Sequence, residues 1–161
     1  MSILTEKKAC TEGANWADSQ TDYKKAWEAC DRADWMLWAA QKFNVDLKKL
    51  TLAKVACART VQHLMTDNRS ILALEVAEKF GEGVATLEEM NAAAADAAAA
   101  ADDAADAYAA AAAAAAYAAA ADAAADAAAA DADADADARI SALKEMASLV
   151  RENISFDDLK I

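Results

Sequence analysis

The chain has 161 residues, no proline, three glycines and a formal net charge of −12 at pH 7. Its length suits one domain with its own core, and an apolar content of 57%, mostly alanine, predicts an all-α fold, a single-domain helical bundle. So acidic a balance disfavours direct binding to nucleic acid or to an anionic membrane, and favours a basic protein partner.

The opening residues, "MSILTEKKACTEG", contain no apolar run of the length a signal peptide needs. In "TDYKKAWEAC", Tyr23, Ala26, Trp27 and Cys30 fall on one helical stripe. Asp34 is placed to cap the next helix, where Trp35, Trp38 and Ala39 recur at helical spacing. Asp46 is the following N-cap. After it, Leu47, Leu50, Ala53, Cys57, Val61 and Leu64 repeat every three or four residues, predicting one amphipathic helix. "RSILALEVAEKF" predicts another, with Gly81 as its C-terminal stop. Four or five helices are expected before residue 91.

"TLEE" forms a capping box, with Thr86 as N-cap and Glu89 three residues on. Residues 92–138 then hold 35 Ala, 10 Asp and 2 Tyr with no Lys or Arg, so −10 of the −12 lies in this segment. Within it, residues 107–121 carry no charge, a stretch of 15 that falls short of the ~18 a membrane span needs. A helix apolar all round is normally buried, which predicts a central polyalanine helix with Tyr108 and Tyr117 pointing to opposite sides. In "DADADADA", residues 131–138, alternation spreads charge around every face and predicts a break. Asp137 would then cap a last helix with Ile140, Leu143, Ala147 and Val150 as its buried stripe.

The chemistry on offer is sparse. Cys10, Cys30 and Cys57 lack zinc-ligand spacing and read as small buried hydrophobes in a reducing cytoplasm. His63, the single histidine, points about 240° away from Cys57 around a helix, a poor geometry for a catalytic pair. A calcium loop starting at Asp131 fails where glycine and glutamate are required, at Ala136 and Ala142. No catalytic residue, metal or cofactor is expected, and the protein is not expected to be an enzyme. Two candidate sites remain. Asp131, Asp133, Asp135 and Asp137 form an acidic surface suited to a basic partner. Arg59 and His63, on the helix of residues 47–64, form an anion-binding pair close to Trp35 and Trp38. Most of Trp16, Trp27, Trp35 and Trp38 are expected in the core, with Trp35 or Trp16 as an exposed anchor.

Three blocks, "AWEACDRADWMLWAAQKF", "LAKVACARTVQHLM" and "ALEVAEKFGEGVATLEEMNAAAA", precede the alanine run, and "KEMASLVRENI" follows it. Together, over residues 22–155, they resemble the alanine-rich immunity proteins of bacteria and phages, the immunity-protein-five-like family. The resemblance implies an all-helical cytoplasmic protein that neutralises a toxin by binding it, and brings no site residues to carry over. Most members interrupt the alanine run with Tyr, Glu or Arg, whereas here the substitutions are overwhelmingly Asp. The expected function is therefore non-catalytic inhibition of a toxin or bacterial defence effector by direct protein binding, steered by the acidic surface. The alternative is sequestration of a small anion, such as a nucleotide signal, in a pocket lined by Trp, Arg and His. Self-association through close-packed alanine surfaces is compatible with either.

Overall fold

The computed structural model describes residues 2–103 and 136–161. The expectations for the polyalanine stretch 107–121, for Tyr108 and Tyr117, and for Asp131, Asp133 and Asp135 lie outside these residues. The described residues form eight α-helices and no strand: α1 (Ile3–Glu6), α2 (Thr11–Asp18), α3 (Tyr23–Ala29), α4 (Ala33–Lys42), α5 (Leu47–Thr60), α6 (Asn68–Gly81), α7 (Leu87–Asp103) and α8 (Ala136–Asn153). Short 3-10 turns cover Gln62–Leu64 and Phe156–Asp158. The fold is an all-α bundle, as composition predicts. Six helices, not four or five, precede α7, because the N-terminal stretch itself makes two: Ser2 caps α1, and the Cys10 sulfur caps α2 by accepting the Gly13 N–H at 3.3 Å.

Among the described elements, α5 takes the central place. Leu50, Ala53 and Cys57 pack with Met36 and Leu37 of α4 and with Met146, Ala147 and Val150 of α8. Its opposite side sends Val55 and Ala58 into a second core with Leu74 and Phe80 of α6 and Met90 and Ala97 of α7. Alanines at these contacts let helix backbones approach closely, at the cost of little apolar area each. Asp46 caps α5 as expected, accepting from the N–H groups of Lys48 and Lys49 at 3.0 and 3.3 Å. The helix stops at Thr60, however, so Val61 is its C-cap and Leu64 belongs to the following 3-10 turn. Leu47, predicted as the first buried residue of the stripe, is 49% exposed.

Other boundaries also shift. α4 begins at Ala33 behind Arg32, which makes no side-chain capping bond, and Asp34 lies inside the first turn rather than capping it. The buried side of α4 is Ala33, Met36, Leu37 and Ala40, leaving Trp35, Trp38 and Ala39 half-buried on another side. α6 runs through Gly81 instead of stopping before it. A Cβ at Gly81 would lie 2.5 Å from Leu52 Cγ, so this glycine permits the close contact of α6 with α5. The left-handed turn comes two residues later, at Gly83 with φ +81°.

The capping box at α7 forms: the Thr86 N–H donates to Glu89 Oε2 at 2.7 Å, and the Glu89 N–H donates to Thr86 Oγ1 at 3.2 Å. The Thr86 backbone N–H foremost, and then the Thr86 hydroxyl at 2.9 Å, hold the Glu89 carboxyl below its ordinary pKa. In α8, Leu143, Ala147 and Val150 are buried as predicted, but Ile140 is 60% exposed. Asp137, expected ahead of this helix, lies inside α8. Among the described residues, no helix is long and apolar enough to cross a membrane.

Cys30 and Cys57 are buried, but Cys10 is exposed, because capping α2 holds it at the surface. Burial pushes both inner thiols up, Cys57 to about 12. Native protein therefore exposes a single thiol to a water-soluble disulfide reagent at neutral pH, and unfolded protein exposes three; mass spectrometry of the labelled chain counts them.

Candidate functional site: a tryptophan-lined cavity

The half-buried side of α4 faces a cavity of about 550 Å³. Trp35 and Trp38 come from α4, Trp16 from α2, Trp27 from α3, and Phe156 with Leu159 close it from the C-terminal tail. This volume lies within the ~300–1,000 Å³ range of small-molecule sites.

Several local features hold the walls. Gly13 has no side chain, and a Cβ there would meet Cys10 Sγ at 3.1 Å and the Trp35 ring at 3.3 Å, so α2 lies directly against α4. The Trp16 and Trp35 rings stand 5.9 Å apart at 51°, a tilted arrangement in the favourable range for aromatic pairs. The α3–α4 connection is fixed from below by Arg151 of α8, whose Nη1 donates to the Cys30 carbonyl at 2.6 Å. The tail is fastened at two points: the Lys160 N–H donates to the Phe43 carbonyl at 3.1 Å, and Lys49 Nζ pairs with Asp158 at 2.6 Å. That lysine, with the Ser155 N–H next in weight, holds the Asp158 carboxyl below its usual range.

Arg32 and Asp34 supply the organised charge at the wall. Arg32 Nε and Nη2 donate to the two oxygens of Asp34 at 2.9 and 2.5 Å, a bidentate pair. The same guanidinium lies 4.5 Å from the centroid of the Trp35 ring, in cation–π contact. The carboxylate bonds raise the Arg32 pKa above its ordinary value. Opposite, the Tyr23 hydroxyl donates to Asp18 at 3.0 Å; burial, and then that bond, raise its pKa.

Of the four residues expected to form a ligand site, Trp35 and Trp38 line this cavity, and Arg59 and His63 do not. The Arg59 guanidinium is engaged by Glu78 at 2.5 Å and by Gln62 at 2.7 Å. His63 is exposed on the 3-10 turn, since α5 has already ended. Arg59 thus commits its guanidinium to Glu78 and Gln62, away from the tryptophan cavity. Among the acidic candidates, Asp131, Asp133 and Asp135 fall outside the described residues. The arginine that does meet the tryptophans is Arg32, and its signal was the run "RADW", which sets a cation, an anion and a ring within one helical turn. Nothing local marked Phe156 or Leu159. Among the described residues, no group of three or more His, Cys, Asp or Glu is placed to hold a metal ion.

Fold and site together define the class, an all-α helical bundle carrying an aromatic-lined cavity. No family model, curated protein or solved structure matches the chain.

Proposed function

We propose that this is a non-catalytic binding protein whose tryptophan cavity takes up a small molecule. The observation that carries this reading is the set of three half-buried tryptophans, Trp16, Trp35 and Trp38, drawn from two helices to face one space. Aromatic rings that pack only to fill a core are normally covered, whereas these three keep part of their surface open. Covering exposed ring surface with a ligand is favourable by about 25 cal/mol per Å² before the costs of association. This replaces the pocket expected around Arg59 and His63 by one built on Arg32. Native mass spectrometry of protein purified from its own host tests the proposal. A discrete small-molecule mass on the chain, persisting as salt rises from low to moderate, is expected; a bare chain at every salt concentration contradicts it.

A second function rests on charge. With −10 in residues 92–138, a cytoplasmic inhibitor of a basic toxin or defence effector is the natural use of the acidic segment, in line with the immunity proteins the sequence resembles. Replacing Asp131, Asp133, Asp135 and Asp137 together by Asn is expected to slow association with such a partner by about tenfold at low salt and to flatten its salt dependence. Unchanged association kinetics discard the mechanism.

A further inference from the structure

We infer that the cavity selects an uncharged, planar aromatic ligand of two or three fused rings, and discriminates against both anions and cations. This rests on the reading of the cavity as a ligand site and specifies what that site accepts.

The reason lies in how its charges are placed. Four charged side chains border the cavity, Lys8 and Arg32 against Glu12 and Asp34, so the formal charges cancel. Lys8 and Glu12 are exposed, where water screens them. The inner pair is closed on itself. Asp34, with only 15% of its side chain exposed, has both carboxylate oxygens on Arg32. An entering phosphate or carboxylate would have to displace Asp34 from the guanidinium. An entering ammonium meets the opposite obstacle: Arg32 already lies over Trp35 and already neutralises the nearby carboxylate. The guanidinium and the carboxylate thus satisfy each other, and neither is free for a charged ligand. This also parts the site from the nucleotide pocket expected from the sequence.

What remains open to a ligand is ring surface. The Trp16 and Trp35 planes are tilted at 51°, and a third ring packs against such a pair by offset stacking or edge-to-face contact. Phe156 and Leu159 close the far side with apolar groups, and a cavity of about 550 Å³ admits a fused ring system without displacing the tail. Saturated chains would fill the volume but forgo the quadrupole contacts that three indoles offer.

Isothermal titration calorimetry with three probes separates the possibilities: indole as the neutral ring, adenosine monophosphate as an anion bearing a ring, and choline as a cation. Indole is expected to bind saturably, at least about tenfold more tightly than the other two. Trp35→Ala and, independently, Trp16→Ala are expected to weaken indole about tenfold or more with unchanged far-UV circular dichroism. Should Trp35→Ala not fold, Trp16→Ala on α2 carries the test. Asp34→Asn, which releases Arg32, is expected to raise affinity for adenosine monophosphate about tenfold. If that nucleotide or choline binds wild-type protein as tightly as indole and is lost in Trp16→Ala, the site stands and the neutral class is overturned. If no probe binds, or indole binding survives both tryptophan substitutions, the cavity is not the ligand site and both readings fall.

Discussion

Replacing Phe43 by alanine lowers the free energy of unfolding by about 3–5 kcal/mol, the largest loss expected from a single truncation in this chain. Among the described residues, Phe43 is the bulkiest of the fully buried side chains, 2% exposed, and it stands where three parts of the molecule meet. Its N–H closes α4 on the Ala39 carbonyl at 2.9 Å, and its own carbonyl receives the tail through Lys160. The ring fills the main core and also backs the cavity. Truncation therefore removes transfer free energy and extends an existing space that its neighbours, fixed by α8 and by the tail, cannot collapse to fill. Urea unfolding followed by circular dichroism measures the loss, with Leu72→Ala, at a position 52% exposed, expected within about 0.5 kcal/mol of wild type. A Phe43→Ala loss below about 1 kcal/mol would show that this junction is not packed as described.

The second large effect is lability to alkali. Cys57 of α5 faces α8 with no exposure, its thiol directed at the Met146 carbonyl at 3.7 Å. Burial carries its pKa from the ordinary 9.0 to about 12. The unfolded chain thus releases this proton over a range in which the folded chain keeps it. The contribution to stability is whole below about pH 9 and is lost as pH rises towards 12, at up to about 1.4 kcal/mol per pH unit. Over the full interval that is on the order of 4 kcal/mol, with Cys30 shifted in the same direction. Cys57→Ala removes the term. The variant is less stable near neutral pH through lost packing, but its deficit shrinks as pH rises. Urea midpoints from pH 7 to about pH 10.5 are expected to converge for the two proteins; parallel curves contradict a buried neutral thiol.

How far the sequence revealed this molecule depended on the range of the interaction concerned. Caps at Asp46 and at Thr86 with Glu89 were legible because each side chain bonds to backbone within three residues, so nothing distant competes. Asp34 failed as a cap because Arg32, two residues earlier, takes both of its oxygens. In α4 the pattern was ambiguous from the start. "ADWMLWAAQK" is apolar on more than one face, and the stripe holding Ala33 and Ala40 won the core because only methyl groups allow α5 and α8 so near. That choice turned Trp35 and Trp38 outward, which is what creates the cavity.

The single helix face predicted for Arg59 and His63 broke for a related reason. Their pairing required α5 to continue to residue 64, but it ends at Thr60, whose hydroxyl donates to the Cys57 carbonyl at 2.7 Å. Glu78, nineteen residues on and in another helix, then takes the guanidinium. The cavity wall itself was beyond any local pattern. It joins Trp16 near one end of the chain to Phe156 and Leu159 near the other, and the contact exists only once α8 has packed on α4 and α5.

The central claim, that the tryptophan cavity is a ligand site, is tested most directly by proton–nitrogen correlation spectra of labelled protein titrated with unlabelled indole. Each of the four tryptophans contributes one ring N–H signal in a clear region of the spectrum. The signals of Trp16, Trp35 and Trp38 are expected to shift together and saturate at a common concentration, while the Arg59 and His63 amides stay in place. Saturable shifts centred on Arg59 and His63, or no shift at the three tryptophans, would contradict it.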